Sequence, residues 1–181
     1  MAKRVFAVTL VLMLASALLV MAQAPPAPKP TPEHKRLAYL VGTWTFEGEA
    51  KAFGYWPAGK FTGTERDEWF PGGFFVVVHA DSRGPGGQVG KTLAIVGYNP
   101  EEKVYTYYGI ETGMGIAEVS KGTIQGDTWI WNGETKVGGK PMKVRFTMKE
   151  VSPTSCTAKF ESSPDGKTWT TIMERKDTKL K

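Results

Sequence analysis

Apolar and polar residues alternate along most of the chain beyond residue 42. Between residues 142 and 148, for example, the even positions are Met, Val, Phe and Met, whereas the odd positions are Lys, Arg and Thr. A period of two is typical of β-strands that bury one face. Glycine, proline, asparagine and aspartate separate such segments, and no helical periodicity of useful length interrupts them. The pattern predicts about ten antiparallel strands, at residues 43–53, 60–70, 74–82, 91–98, 103–111, 115–121, 123–132, 140–151, 154–162 and 167–175.

A short helix is predicted in front of the first strand. Thr31 can cap its N-terminus, Pro32 fits the first helical position, and Glu33 places an acid in the first turn. Gly42 ends the segment, so we expect one helix over residues 32–40. Consecutive hairpins leave two free sheet edges unless the sheet closes on itself. The sequence therefore predicts an all-β fold, an up-and-down antiparallel barrel with one N-terminal helix, and an open two-sheet sandwich is the alternative.

The first strand changes in side-chain size along its predicted inner face. Trp44 and Phe46 are followed on the same face by Gly48, Ala50 and Ala52. Large rings at one end and small residues at the other fit the wall of a closing barrel. The inner face of this strand is therefore predicted to carry large side chains beside the helix and small ones at its far end.

The first 22 residues have the character of a leader. Lys3 and Arg4 are followed by an apolar run up to Met21 and by small residues, which is the layout of a secretory signal peptide. Cleavage after Ala22 is expected, because cleavage after Ala24 would place a proline beside the scissile bond. An uncleaved membrane anchor is the alternative, since the run is close to the length of about 18 residues that spans a bilayer.

The predicted organisation is a signal peptide at residues 1–22, a proline-rich linker at 23–31 and a β-barrel domain at 32–181. The linker reads QAPPAPKPT, a composition that stays extended and solvated. The predicted localisation is therefore the periplasm or the outside of the cell. Cys156 is the single cysteine and cannot form an intrachain disulfide, so we expect it to be buried as a small hydrophobic residue.

Composition limits the classes of function. Of the 181 residues, 41% are hydrophobic and 12% aromatic, which suits one globular domain. Removing Lys3 and Arg4 lowers the net charge from +5 to +3, and the basic residues are scattered, so nucleic acid is not a predicted partner. The two histidines, His34 and His79, show no metal-ligand spacing, and no metal site is predicted.

Two motifs resemble a known family. PEHKRLAYLVGTWTFEGEA near the start of the barrel and SPDGKTWTTIMERK near its end are together similar to DUF1579, a family of uncharacterised secreted bacterial proteins. The Gly-Thr-Trp element after a short helix also resembles the start of calycin barrels, namely lipocalins, fatty-acid-binding proteins and haem-binding nitrobindins. This second resemblance implies a calycin-like barrel in which Gly42 permits the exit from the helix and Trp44 closes one end. It also implies that an arginine of the final strand, here Arg175, stacks on the indole.

The calycin resemblance raises haem as a cofactor. Nitrobindins ligate the haem iron with a histidine late in the chain, and this sequence has no histidine after His79. We therefore predict neither haem nor another cofactor.

His79 lies in the most hydrophobic predicted strand, GFFVVVHADS. If it shares an inward face with Phe75 and Val77, it can contact a ligand or act as an acid or base near neutral pH. The alternative is a position on the rim or the outer wall, because positions 74, 76, 78 and 80 form the more uniformly apolar face. In the preceding strand, the face that carries Glu65 and Asp67 either looks outward or brings carboxylates into a wet cavity.

The predicted function is binding of a small hydrophobic or amphipathic molecule inside the barrel. The protein is expected to be exported, monomeric or weakly dimeric, and not stably inserted in a membrane after cleavage. The predicted lining residues are mostly aromatic, and they are Phe46, His79, Tyr108, Trp129, Met142 and Phe146. One alternative is an isomerase or cyclase that uses His79 with Glu65 or Asp67, and another is a structural envelope protein with a filled core.

Overall fold

A computed structural model describes residues 27–54, 56–113 and 115–180 of the chain. The predicted signal peptide and the first part of the predicted linker lie outside the described residues. Within the described part, no helix is both long enough and apolar enough to cross a lipid bilayer.

The N-terminal helix is shorter than predicted. Helix α1 spans Pro32–Arg36 and is followed by a 3-10 turn at Leu37–Tyr39, so the single helix expected here is divided in two. His34 takes the place of the usual acid of a capping box, and its Nδ1 accepts a hydrogen bond from the backbone N–H of Thr31 at 3.1 Å. Gly42 follows with a φ of +137°, a conformation that favours glycine, and leads the chain into the first strand.

Ten antiparallel strands form a closed barrel, which confirms the predicted all-β fold. They are β1 (Gly42–Ala50), β2 (Gly59–Trp69), β3 (Phe75–Arg83), β4 (Val89–Asn99), β5 (Val104–Glu111), β6 (Ile116–Gln125), β7 (Thr128–Val137), β8 (Lys140–Ser152), β9 (Ser155–Ser163) and β10 (Thr170–Lys179). Each strand pairs with the next in the sequence, and β1 also pairs with β10. None of the described strands keeps a free edge, and the open sandwich is excluded.

Several predicted strand boundaries are wrong, since β1 ends at Ala50 rather than at 53 and β7 continues to Val137 rather than ending at 132. Two others have a clear physical cause. The sequence predicts a division near Gly122, whereas β6 continues to a turn at Gly126, where φ is +61°. Gly122 instead lies inside the barrel, because a Cβ at this position would meet the ring of Trp131 at 2.7 Å. At the other boundary, β10 extends to Lys179 rather than ending at Arg175, since its last residues pair with the start of β1.

Buried side chains form two apolar clusters. The larger surrounds the 3-10 turn, where Leu37 and Trp44 are at most 4% exposed. The smaller lies further along β1 and contains Phe46 and Phe61. Gly48 is adjacent to it, and its missing side chain leaves room for the ring of Phe61, which would lie 2.7 Å from an added Cβ. Several further inward positions are polar, and they form the candidate site.

Candidate functional site

Trp44 closes the end of the barrel beside α1. Its indole is 4% exposed, and its Nε1 donates to the Leu40 carbonyl at 2.6 Å. The Nζ of Lys179 lies 4.6 Å from the indole centroid and donates to the carbonyls of Tyr39 and Val41 at 3.0 and 2.8 Å. A cation over the ring face adds to the packing. Trp44 thus holds the helical segment against the first and last strands.

Lys179 is the residue of the final strand that stacks on Trp44, and the prediction of Arg175 in this role is wrong. Lys179 is directly opposite Trp44 in the β1–β10 ladder, whereas Arg175 is opposite Gly48, further along the barrel. Arg175 therefore projects into the interior beyond the closed end.

Trp129 also belongs to the closed end. It is 0% exposed, and its Nε1 donates to Glu150 Oε1 at 2.5 Å. The same carboxylate pairs with Arg36 of α1, whose guanidinium carbon lies 5.0 Å from the indole centroid. The polar atom of Trp129 and one face of its ring are therefore already occupied by protein.

Arg175 is a cation of the barrel interior. Its side chain is 15% exposed, and the guanidinium carbon lies 4.7 Å from the ring centroid of Phe46 and 5.6 Å from that of Phe146. Asp177 pairs with it at 3.0 Å and Glu65 at 3.6 Å. Burial opposes its charge, but the two carboxylates outweigh burial and raise the pKa of Arg175. The guanidinium is therefore charged and neutralised within the chain.

Asp67 is buried more deeply than any other acid of the described residues. It is 1% exposed, and neither carboxyl oxygen has a hydrogen-bond partner within the described part of the chain. Burial, and then the neighbouring charge of Glu65, raise the pKa of Asp67 to about 9. Of the two orientations that the sequence left open for Glu65 and Asp67, the structure has the inward one. Asp67 is protonated at neutral pH and can donate or accept a hydrogen bond inside the barrel.

Three further polar side chains face the interior, namely Tyr107 on β5, Glu118 on β6 and Asp177 on β10. Burial raises the pKa of each, and the charges of Glu118 and Glu65 raise that of Tyr107 further. The Sγ of Cys156 lies 3.7 Å from Asp177 Oδ2, while Asp177 Oδ1 has no partner among the described residues. Cys156 is buried, as predicted, and burial raises the pKa of its thiol to about 12. The thiol is therefore not a nucleophile at neutral pH.

Trp131 offers the interior an unused hydrogen-bond donor. The side chain is 7% exposed, and its ring centroid lies 6.1 Å from that of Phe146. Its Nε1 has no acceptor in the described part of the chain. Because a buried indole N–H normally finds an acceptor, this atom, like the carboxyl group of Asp67, is available to a ligand.

A loop lies over the barrel end that is remote from α1. It joins β1 to β2 through residues 51–58, where Phe53 and Trp56 form an isolated bridge. Phe53 contacts Phe160 of β9, with ring centroids 6.2 Å apart, and Trp56 packs against the smaller core cluster. The loop therefore stands between the interior and solvent at this end.

The predicted lining residues do not form one site. Phe46 and Phe146 lie on the inner wall beside Arg175. Met142 is an inward, half-buried residue near the start of β8. Trp129 is part of the closed end, where its contacts are with protein. The structure thus brings together only two of these residues around the interior cation.

His79 and Tyr108 lie on the outer surface, so their predicted place inside the barrel is wrong. Val76 and Val78 are the buried residues of β3, which directs His79 outward. Tyr108 is 51% exposed on β5. On β3 the buried Val76 and Val78 belong to the more uniformly apolar face, which confirms the alternative of an outer-wall position for His79. On β5 both faces carry aromatic residues, so alternation does not identify the inner face. With His79 outside and Glu65 inside, the acid and base of the enzyme hypothesis do not meet.

Sequence reasoning did not single out Glu118 and Asp177. Asp177 falls beyond the predicted end of the last strand, although the alternation of Arg175, Asp177 and Lys179 continues the inward period of two. Glu118 lies in a strand with polar residues on both faces, and no local signal marks it as inward.

Two open grooves on the outer surface have volumes of about 630 and 850 Å³. Outward-facing threonines and charged residues line much of both, and Thr62 and Lys176 border each of them. Water can satisfy such side chains in an open groove. The unpartnered carboxyl and indole groups lie inside the barrel, which makes the interior the stronger candidate site.

Comparisons with known proteins agree with the fold. Fifteen chains of solved structures match. One is the crystal structure of Rv2717c from M. tuberculosis, with a TM-score of 0.59, 12% sequence identity, and coverage of 83% of this chain and 99% of that chain. At this identity the likeness concerns the fold alone. No curated protein matches the sequence. A family model described as "Protein of unknown function (DUF1579)" matches residues 29–179, which include both motifs noted in the sequence, and the chain therefore belongs to the DUF1579 family.

Proposed function

We propose that this protein binds one small amphipathic molecule inside the barrel. The observation that carries the proposal is a set of buried polar atoms without partners in the described chain, which includes both carboxyl oxygens of Asp67 and the Nε1 of Trp131. A buried polar group that stays unpaired costs about 1–3 kcal/mol. A ligand that pairs with these atoms recovers that cost as binding free energy.

Several side chains that point into the barrel remain partly exposed, which is evidence for free space inside it. Glu65 and Arg175 point inward, yet their side chains are 17% and 15% exposed. Tyr107 and Phe146 are also only half-buried on the inner wall. Because the closed wall surrounds these residues, their remaining exposure favours a space that solvent or a ligand can occupy.

The inner wall combines polar and apolar surfaces. The rings of Phe46, Trp131 and Phe146 provide an apolar wall, and Asp67 with Arg175 provides the polar part of the same interior. Small-molecule sites usually have this composition, mainly apolar with a few placed polar groups. The combination favours an amphipathic ligand over a purely hydrophobic one.

We also propose that the protein acts after export. The family match begins at residue 29, so the predicted signal peptide and most of the linker precede the matched segment. Sequencing of the N-terminus of protein recovered outside the cytoplasm tests this part. Cleavage after Ala22 is expected, and an intact N-terminus retained in the cell would contradict it.

Titration with N-phenyl-1-naphthylamine, an uncharged fluorescent molecule, tests the binding function. We expect saturable fluorescence enhancement with the full chain, and a complex with one bound molecule in native mass spectrometry. Trp131→Phe removes the Nε1–H and keeps an aromatic ring. Because the naphthylamine has no good acceptor for this N–H, the effect is measured with decanol, whose hydroxyl oxygen can accept it. Decanol binding is expected to weaken about three- to tenfold, because one net hydrogen bond contributes about 0.5–1.5 kcal/mol.

Trp169→Phe is the matched control. Trp169 lies outside the barrel interior and stacks on Arg145, an outward residue of β8, at 4.1 Å. This variant should bind the naphthylamine and decanol as the unmodified protein does. If the folded protein shows neither saturable enhancement nor a complex by mass, the core is filled and the proposed function is wrong.

A further inference from the structure

The charges inside the barrel indicate which polar group the ligand carries. Acidic side chains that face the interior include Glu65, Asp67, Glu118 and Asp177. Glu111 also faces inward, near the end remote from α1, where the backbone N–H of Gly113 donates to it. Among the described residues, Arg175 is the cation that pairs with two of these carboxylates. Lys179 lies at the closed end, where two backbone carbonyls bind its ammonium group, and its charge also acts on Asp67. The interior therefore holds more acidic groups than cations.

This arrangement disfavours an anionic ligand. An anionic group could accept a hydrogen bond from the Nε of Arg175, which has no partner among the described residues, but it would then lie beside Glu65 and Asp177, which already pair with the same guanidinium. The repulsion between these negative charges disfavours a carboxylate or phosphate. An uncharged head group avoids that repulsion but gains no ion pair. A cationic head group gains one, because it favours the carboxylate form of an acid beside it.

The cation that fits is organic rather than metallic. In the described part of the chain, no group of three or more His, Cys, Asp or Glu side chains is placed to hold a metal ion. An organic ammonium group does not need three or more such ligands, because it can be bound by a few hydrogen bonds together with the faces of aromatic rings. The guanidinium of Arg175 already lies beside Phe46 and Phe146, so the rings of this wall accept a cation.

We propose that the ligand is an amphipathic amine whose protonated nitrogen binds at Asp67 and whose apolar chain lies along the aromatic inner wall. This inference rests on the binding function proposed above. Asp67 is 1% exposed, and no described donor pairs with its two oxygens, so they are available as acceptors for the amine. Glu65 is the carboxyl group that interacts with Asp67, and an ammonium group beside both replaces their mutual repulsion with attraction. The carboxyl group of Asp67 loses its proton to solvent when the amine binds, because an adjacent cation favours the carboxylate.

Calorimetric titration with three ten-carbon ligands tests the assignment. Decylamine, decanol and decanoate are compared at pH 7, below their micelle concentrations, with the full chain. Decylamine should bind at least tenfold more tightly than decanol, and decanoate should bind most weakly. The heat of decylamine binding should differ between two buffers with different ionisation enthalpies. The size of that difference should correspond to the release of up to about one proton per ligand bound.

Asp67→Asn should abolish the proton release and reduce the preference for decylamine over decanol. Asp81→Asn is the matched control, since the Asp81 side chain is 62% exposed and pairs with Lys91 on the outer surface. This control should keep both the proton release and the preference. Glu118→Gln is the second variant, and it should weaken decylamine binding more than decanol binding even if Asp67→Asn fails to fold.

The outcomes separate the two proposals. If decanol or decanoate binds as tightly as decylamine, the amine assignment is overturned and binding in the interior stands. The assignment is also overturned if the naphthylamine binds and none of the three ligands does. If neither the naphthylamine nor any of the three binds, the binding function itself is wrong.

A separate observation concerns the outer surface of β3, β4, β5 and β6. Six large apolar side chains on these strands are 41–58% exposed, and they are Phe75, Leu93, Ile95, Tyr108, Ile110 and Val119. The strand registers make them neighbours, since Tyr108 is opposite Ile95 on one side and Val119 on the other. They form one continuous patch, which we call the β3–β6 face.

The size and border of the β3–β6 face favour a second copy of this chain as its partner. Two of the six side chains are aromatic and four are aliphatic, and each is about half exposed, so the patch presents on the order of 400 Å² of apolar surface. This is about half of the ~800 Å² that each partner buries in a standard interface, and an apolar patch of this size often marks an interaction site. At its border, Lys91 pairs with Asp81 and Lys121 with Glu102, both at 2.5 Å. Because these charges are neutralised within the chain, two copies can meet without net repulsion.

We infer that two copies of the chain associate through their β3–β6 faces as a two-fold symmetric dimer. Sedimentation equilibrium should show a dimer at micromolar concentration. Ile95→Lys places a charge at the centre of the face and should weaken dimerisation at least tenfold. Val151→Lys is the control, since Val151 is 64% exposed on β8, outside the face, and should leave the dimer intact.

Circular dichroism establishes that each lysine variant is folded, and Ile110→Lys replaces Ile95→Lys if the latter unfolds. A chain that is monomeric up to the highest soluble concentration would overturn the inference. Equal dissociation by Val151→Lys would overturn it as well, and so would a dimer that Ile95→Lys or Ile110→Lys leaves unchanged.

Discussion

Replacing Trp129 with alanine is expected to lower the free energy of unfolding by about 3–5 kcal/mol. The indole is 0% exposed and packs against the guanidinium of Arg36 and the rings of Tyr39 and Tyr105. The substitution leaves a cavity where α1 meets the barrel, and it removes the N–H that Glu150 accepts. Unfolding in urea, followed by fluorescence and circular dichroism, measures the loss.

Two variants locate the cause. Trp69→Ala removes a tryptophan that is 37% exposed at the end of β2, and it should cost less than about 1 kcal/mol. Trp129→Phe keeps most of the apolar volume and should cost about 1–2 kcal/mol, since Glu150 retains its ion pair with Arg36. A loss at Trp129 no larger than the loss at Trp69 would show that the closed end does not stabilise the barrel.

The protein is expected to be more stable at pH 5 than at pH 8. The pKa of Asp67 is about 9 in the folded protein, against a usual 3.8, so the folded state keeps a proton that the unfolded chain has lost. The stability that this proton provides is complete below pH 4 and disappears as the pH rises toward 9. Between pH 5 and pH 8 the loss is up to about 4 kcal/mol, at 1.36 kcal/mol per pH unit. Burial raises the pKa of Glu118 and Asp177 too, which adds to the decline.

Asp67→Asn should remove most of this pH dependence. The amide has nearly the shape of the carboxyl group but does not ionise, so the variant should be more stable than the unmodified protein at pH 8. Asp81→Asn changes an acid whose side chain is 62% exposed, and it should preserve the decline in stability. Urea unfolding at both pH values makes the comparison. A full decline in Asp67→Asn would assign the pH dependence to other groups.

The strands could be predicted because their signal is local. Alternation along each strand and turn residues between strands depend on neighbours in the sequence, and both indicate consecutive hairpins. The boundary near Gly122 failed because glycine there serves a packing contact with Trp131 across the sheet, rather than a turn. Local sequence does not distinguish these two uses of glycine.

The orientation of a strand is less local than its existence. Alternation identifies the inner face when the outer face is polar, as it does in β8. In β3 the more uniformly apolar face is the inner one, and His79 lies on the other face. In β5 both faces carry aromatic residues, and the predicted inward position of Tyr108 is wrong. The outward position of His79 and Tyr108 shows where the barrel presents the β3–β6 face.

The candidate site depends on pairs of residues that are far apart in the sequence. Glu65 on β2 reaches Arg175 on β10 because both strands flank β1 in the closed sheet. Arg175 was predicted to stack on Trp44, but the register of the closing ladder places Lys179 there instead. A shift of four residues along that ladder would place Arg175 opposite Trp44 without changing any local pattern.

The sequence by itself determined the class of fold, the number of strands and the short helix before them, since backbone preference and side-chain alternation act over a few residues. Closure of the barrel and the registers between strands decided which carboxyl groups lie inside and which cation they meet. Glu65, two residues away on the same face, is the local contribution to the raised pKa of Asp67, whereas burial, the largest cause, comes from packing with other strands. Burial and long-range charge are properties of the folded molecule, and in this protein they define the candidate site.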